Sequence, residues 1–171
     1  RYGREMMKKF TRLTMLLALS VVLNIIESFI PLFNGNIPGL KLGLANIIIL
    51  IVLYMFSFKD ALYVSLLRII LVGILRTGLF SMTFFFSLGG ALLSLCSMFI
   101  AKKTKLSIIG VSIVGSIFHS VGQILVAILI IKNTYIIYYV PWLLLFSIPT
   151  GILVGFTSKT ILNNLDNRKV I

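Results

Sequence analysis

Acidic residues are scarce in this chain: Glu5, Glu27, Asp60 and Asp166 are the four among 171 residues, and no two are adjacent. Clustered carboxylates of the kind that hold Mg²⁺ on a diphosphate cannot be assembled from them, so neither a metal site nor a set of catalytic residues is expected. There is one cysteine, Cys96, which excludes an internal disulfide and an iron–sulfur cluster bound by this chain alone. It falls within an apolar run, where a buried small hydrophobe is the expectation. One histidine leaves no pair to ligate haem. No phosphate-binding loop of the G-x-x-x-x-G-K-[ST] type occurs. The ten-residue alternating strands of a membrane barrel are absent, as are low-complexity tracts, long linkers and internal repeats.

What is present is apolar. Hydrophobic residues make up 59% of the chain and charged ones 12%, with a mean hydropathy of +1.11. Too little polar surface remains to cover a soluble domain. Breaks at PLFNGNIPG (31–39), SFKD (57–60), LRTG (75–78), AKKTK (101–105) and KNTY (132–135) leave six apolar segments. They lie near 10–30, 42–57, 60–76, 80–100, 107–131 and 136–160. About 20 apolar residues cross a hydrocarbon core of roughly 30 Å, so an all-α polytopic membrane protein with six transmembrane helices is expected, one domain over 1–171. The second and third segments are near the lower length limit for crossing. The basic start and apolar run of MMKKFTRLTMLLALSVVL resemble a signal peptide, but no small-x-small cleavage site follows, and an uncleaved first helix is expected. Residues 1–6 read as a candidate remnant of expression, and 161–171 as a cytoplasmic tail.

The net charge of +12 sits between the spans, which is the pattern that orients a membrane protein rather than one that binds nucleic acid. Lys41, Arg76 and Lys132 fall on one side, Arg68 lies inside the third span, and every other Lys and Arg shares the side of the N-terminus. That bias places both termini in the cytoplasm and PGLKLGLAN (38–46) outside.

Ionisable and polar groups at membrane depth are costly and mark candidate sites. Ser20, Asn24 and Glu27 share one face of the first span. Ser116, His119 and Gln123 share a face of the fifth, with Ser120 and Gly122 beside them. Arg68 lies within the third span with Arg76 near its end, and Lys41 and Asn46 flank the entry to the second. Polar groups of this kind also serve as glue between helices, and Lys41 and Arg76 can snorkel to head groups. Against one acid, Glu27, the cations Lys41, Arg68 and Arg76 favour an anionic ligand such as a phosphate, diphosphate or carboxylate. Phe84, Phe85 and Phe86 read as packing or lipid-facing surface, and Tyr138, Tyr139 and Trp142 as an interface belt. Gly89, Gly90, Ala91, Ser94, Gly110 and Gly115 mark close helix contacts.

PGLKLGLAN with Glu27 upstream, SLLRIILVGIL (65–75), FSLGGALLS (86–94) and FHSVGQILVA (118–127) resemble the Gx transporter family, also labelled heptaprenyl diphosphate synthase component I. The resemblance runs from about Met7 to Lys159 and extends to the substrate-binding S components of energy-coupling-factor (ECF) transporters. It implies a six-helix S-component-like bundle in a bacterial cytoplasmic membrane, partnered by a membrane coupling subunit and two ATPases. It further implies docking through small residues on the first helix, where this chain has the imperfect register Thr14 and Ala18. The site it implies takes a small anionic or amphipathic solute, a flavin, another vitamin-like heterocycle or an isoprenoid diphosphate. Lys41, Arg68 and Arg76 would hold the anion, Asn46, His119 and Gln123 would orient it, and Glu27 would anchor a cation. The loop 31–41 would be its lid. A bound flavin or quinone is the one cofactor candidate. The rival readings are a quinone or flavin redox subunit, and a non-catalytic accessory of isoprenoid synthesis.

Overall fold

The computed structural model describes residues 2–29, 43–132 and 134–167. Lys41, the expected lid 31–41 and the last four residues lie outside them. Six α-helices follow one another: α1 (Tyr2–Glu27), α2 (Leu44–Met55), α3 (Phe58–Val72), α4 (Met82–Lys102), α5 (Ile108–Ile131) and α6 (Val140–Asn167). A π-helical turn, Gly73–Thr77, prolongs α3, and a 3₁₀ segment, Thr134–Tyr139, leads into α6. Among the described residues, α1, α4, α5 and α6 are long and apolar enough to cross a membrane. The chain is an all-α, multi-pass membrane protein.

The helix starts follow from local chemistry. Ser57, Ser81 and Ser107 cap α3, α4 and α5, each accepting a hydrogen bond from the backbone N–H three residues on. Ser57 and Asp60 form a reciprocal capping box, satisfying two donors that a helix start leaves orphaned. Lys9 of α1 reaches the same carboxylate at 2.9 Å, which ties the first half of α1 to the start of α3.

The helix α2 is short and sits at the centre. Its 12 residues span about 18 Å, well under the thickness of a hydrocarbon core. Every side chain from Ile47 to Leu53 is buried, because a helix that is apolar all round must be enclosed by other elements. Here α1, α3 and α6 enclose it, with α4 packed against it as well. The last turn of a helix leaves carbonyls to satisfy. The Lys102 ammonium donates to the Leu53 carbonyl at 2.7 Å while lying 4.7 Å from the Tyr54 ring centre.

The last three helices are held by glycine. A Cβ added at Gly122 of α5 would lie 2.5 Å from the Gly89 carbonyl oxygen of α4, so these two backbones touch. On α6, Gly151 and Gly155 face the backbone of α5 at Ile113 and Ile109, where an added Cβ would approach to 2.8 and 2.7 Å. These two form the small-xxx-small motif GILVG (151–155), which lets α6 lie directly on α5. Pro149 lies inside α6 and removes one rung of its ladder.

The surface is apolar where helices face away from the bundle. On α1 this face carries Phe10, Met15, Leu19, Val22 and Ile26, with Thr14 and Ala18 exposed on it. One expectation needs correction: Cys96 is exposed. It falls between Leu92 and Ile100, at 38% and 65% exposure, on the outward stripe of α4, because the inward stripe is taken by Ala91, Ser94, Leu95 and Met98.

Candidate functional site

One cavity gathers the polar groups of the bundle. It is lined by Asn24 and Glu27 of α1, Gly43 with Ala45 and Asn46 of α2, Arg68 of α3 and Ser87 of α4. From α5 come Ser116, His119, Ser120 and Gln123, and from α6 Leu143, Phe146, Ser147 and Thr150. The residues of α1 and α3 lie late in their helices and those of α2, α4 and α6 early. Chain direction therefore alternates around the cavity, which lies towards the end of the bundle opposite the start of α1. Its volume is about 50 Å³, room for a few water molecules.

The charged wall comes from α1–α3. Arg68 is 3% exposed and Glu27 5%, so both charges are withdrawn from solvent and lipid alike, and the Glu27 carboxylate acts on the guanidinium through space. Arg68 Nη1 donates to Asn46 Oδ1 at 3.4 Å. Its Nε is fully buried and has no hydrogen-bond partner among the described residues. A buried donor left without a partner costs on the order of 1–3 kcal/mol, more for a charged group, so a ligand acceptor at this point would be strongly favoured.

The start of α2 adds to that preference. Gly43 holds a left-handed conformation (φ 77°, ψ 26°), which glycine adopts without the strain a Cβ would bring. Its N–H donates to Glu27 Oε1, so the carboxylate fixes the turn that launches the helix. The Asn46 N–H donates back to the Gly43 carbonyl at 2.8 Å, and the positive end of the α2 dipole lies at the cavity beside the Glu27 carboxylate, a setting that favours negative charge.

The opposite wall, from α4–α6, is uncharged and rich in hydrogen-bonding groups. Gln123 Nε2 lies 3.3 Å from His119 Nε2; with the amide donating, the ring accepts through that nitrogen. Gly90 sits against both, since an added Cβ would lie 3.0 Å from Gln123 Cγ, His119 Cε1 and the His119 carbonyl. The glycine pair of α4 thus sets the position of the polar pair on α5. Ser147 donates to the Leu143 carbonyl at 2.6 Å. Its proton is therefore committed, and Ser120 must donate across the 2.6 Å contact to Ser147 Oγ. That bond joins α5 to α6 at cavity depth.

Five of the seven residues expected to bind solute line this cavity: Glu27, Asn46, Arg68, His119 and Gln123. Arg76 lies elsewhere. It is on the π-helical turn, with Nη2 donating to the Ser28 carbonyl at 3.3 Å and its guanidinium 4.3 Å from the centre of the Phe29 ring. It tethers the end of α3 to the end of α1. Lys41 lies outside the described residues. Ser20 is buried but falls in the packing below the cavity, not on its wall. The contributions of Ser87 and of α6 were not anticipated. The signal that could have shown the α6 face is the four-residue spacing of Ser147, Gly151 and Gly155, small residues on one stripe of an otherwise bulky helix.

No curated protein and no solved structure matches the chain. The family described as heptaprenyl diphosphate synthase component I matches it over residues 16–161. That range takes in every residue of the cavity, and the chain belongs to this family.

Proposed function

We propose that this member of the heptaprenyl diphosphate synthase component I family is a non-catalytic, solute-binding membrane subunit. It takes a small anionic or amphipathic solute from the outer side of a bacterial cytoplasmic membrane, as the S component of an ECF-type transporter does. One observation carries the reading: a buried arginine whose Nε has no partner among the described residues, inside a polar cavity of a membrane bundle. Arg68 and the first turn of α2 hold the anionic group. Asn46 steadies the guanidinium, Glu27 locks the turn at Gly43, and His119 with Gln123 orients the remainder of the solute by hydrogen bonding.

Transport needs energy from elsewhere, since the chain carries no nucleotide-binding loop. A coupling subunit and two ATPases supply it in this reading, with the exposed face of α1 around Thr14 and Ala18 as their contact. The four scattered acids do not form the carboxylate cluster of a prenyl diphosphate synthase, and a catalytic role is not proposed.

The family description favours a second reading, a membrane accessory to an enzyme that makes polyprenyl diphosphate. A flavin- or quinone-holding subunit would use the same His119–Gln123 pair. Gentle purification from the native membrane separates these. A copurifying ATPase pair with a small molecule bound in the cavity is the expected result. A soluble prenyl synthase or a dehydrogenase in its place overturns the transport reading.

A further inference from the structure

The two walls of the cavity differ in a way that restricts its ligand. Resting on the reading that the cavity binds an anion, we infer that it is built for a compact solute with one carboxylate and a neutral, hydrogen-bonding body, rather than for a diphosphate or a polyprenyl chain.

Among the described residues lining the cavity, Arg68 is the one cation and Glu27 the one acid. Both belong to the α1–α3 wall. A single negative charge placed on Arg68 Nε, near the positive end of the α2 dipole, meets two favourable fields. A second negative charge on the same ligand faces Glu27, in surroundings where like charges are poorly screened. Glu27 is also committed to the Gly43 N–H, so it cannot swing away without releasing the turn that starts α2.

The wall across from Arg68 offers Ser87, Ser116, His119 and Gln123 but no charge. Its chemistry suits a heterocycle, amide or hydroxyl body, each of which exchanges donors and acceptors with neutral groups. Apolar side chains are confined to Ala45, Leu143 and Phe146. An isoprenoid tail needs a continuous apolar channel, because burying polar groups against hydrocarbon without partners costs several kcal/mol each. A ligand that spans from Arg68 to His119 also bridges the α1–α3 wall and the glycine-packed α4–α6 wall.

The test uses the full chain, freed of bound solute and reconstituted in nanodiscs, with binding measured by calorimetry. The probes are nicotinate as a compact monocarboxylate, nicotinamide as its uncharged isostere, inorganic pyrophosphate and farnesyl diphosphate. Nicotinate is expected to bind at least tenfold more tightly than the other three, and Arg68→Gln to weaken it at least tenfold. Glu27→Gln, which keeps an acceptor for the Gly43 N–H, is expected to tighten pyrophosphate at least tenfold. That gain cannot arise from misfolding. If pyrophosphate or farnesyl diphosphate binds wild type more tightly than nicotinate, and through Arg68, the monocarboxylate inference is overturned while the anion site stands. If no probe binds, or Arg68→Gln changes none, both are overturned.

Discussion

The contact between α4 and α5 can be tested by adding one methyl group. In Gly122→Ala the new Cβ would lie 2.5 Å from the Gly89 carbonyl oxygen, 2.9 Å from the Gly89 carbonyl carbon and 2.9 Å from Gly90 Cα. All three are backbone atoms, and none can rotate away. Ordinary contact begins at 3.4 Å, so the helices must part by about 0.9 Å at this level, the difference between that distance and 2.5 Å. Overpacking of this kind costs about 1–3 kcal/mol. Alanine recovers up to about 1 kcal/mol through its higher helix propensity, which would blur a single measurement. Gly115→Ala supplies the control on the same helix. Its Cβ would meet the Met98 side chain at 2.5 and 2.7 Å, and a methionine can move into another rotamer. The propensity gain is common to both variants and cancels in their difference. Gly122→Ala is therefore expected to be less stable than Gly115→Ala by about 1–2 kcal/mol, or roughly 2–8 °C in thermal unfolding for a chain of this length. Fluorescence of Trp142 in detergent follows the transition. Because Gly90 holds His119 and Gln123, Gly122→Ala should also weaken solute binding, while Gly115→Ala leaves it unchanged. Equal stability of the two variants would refute the backbone contact.

Three further outcomes follow from named contacts. Lys102→Met removes the donor to the part-buried Leu53 carbonyl, at an expected cost of about 1–3 kcal/mol in thermal unfolding; Lys102→Arg should recover most of it, and a Lys102→Met variant as stable as the parent would refute the cap. Asp60→Ala breaks the capping box and the Lys9 contact together, for about 1–2 kcal/mol, whereas Lys9→Met, on a half-exposed side chain, should cost at most about 1 kcal/mol and lose its effect in high salt. Unfolding in 0.1 and 1 M salt compares them. Asn46→Ala deprives Arg68 of its Nη1 acceptor and is expected to destabilise the solute-free protein by about 1–3 kcal/mol, with the loss reduced when an anion is bound. A loss independent of added anion would mean that Arg68 does not face the ligand.

Composition and charge distribution alone determined that the chain is helical and crosses the membrane several times. A chain this apolar has no soluble alternative, and only helices or closed barrels satisfy their backbone in lipid. Polar residues at three- and four-residue spacing were equally legible, because a helix puts them on one face whatever surrounds it. That is why Glu27, His119 and Gln123 could be singled out, while Arg68 stood out as a charge inside an apolar span. Hydropathy could not show that the middle of α2, the most apolar element, is enclosed by protein from Ile47 to Leu53. An all-apolar helix reads the same whether lipid or protein encloses it, and only the positions of α1, α3 and α6 decide between the two. Nor could the sequence show that Arg76, expected beside Arg68 in the anion site, lies on Phe29 and outside the cavity. The cavity itself depends on glycine contacts between α4, α5 and α6 that bring Ser120 and Ser147 together and put Ser87 on the same cavity wall. Proximity between residues so far apart in the chain is a property of packing, and it is packing that turned a scatter of polar side chains into one site.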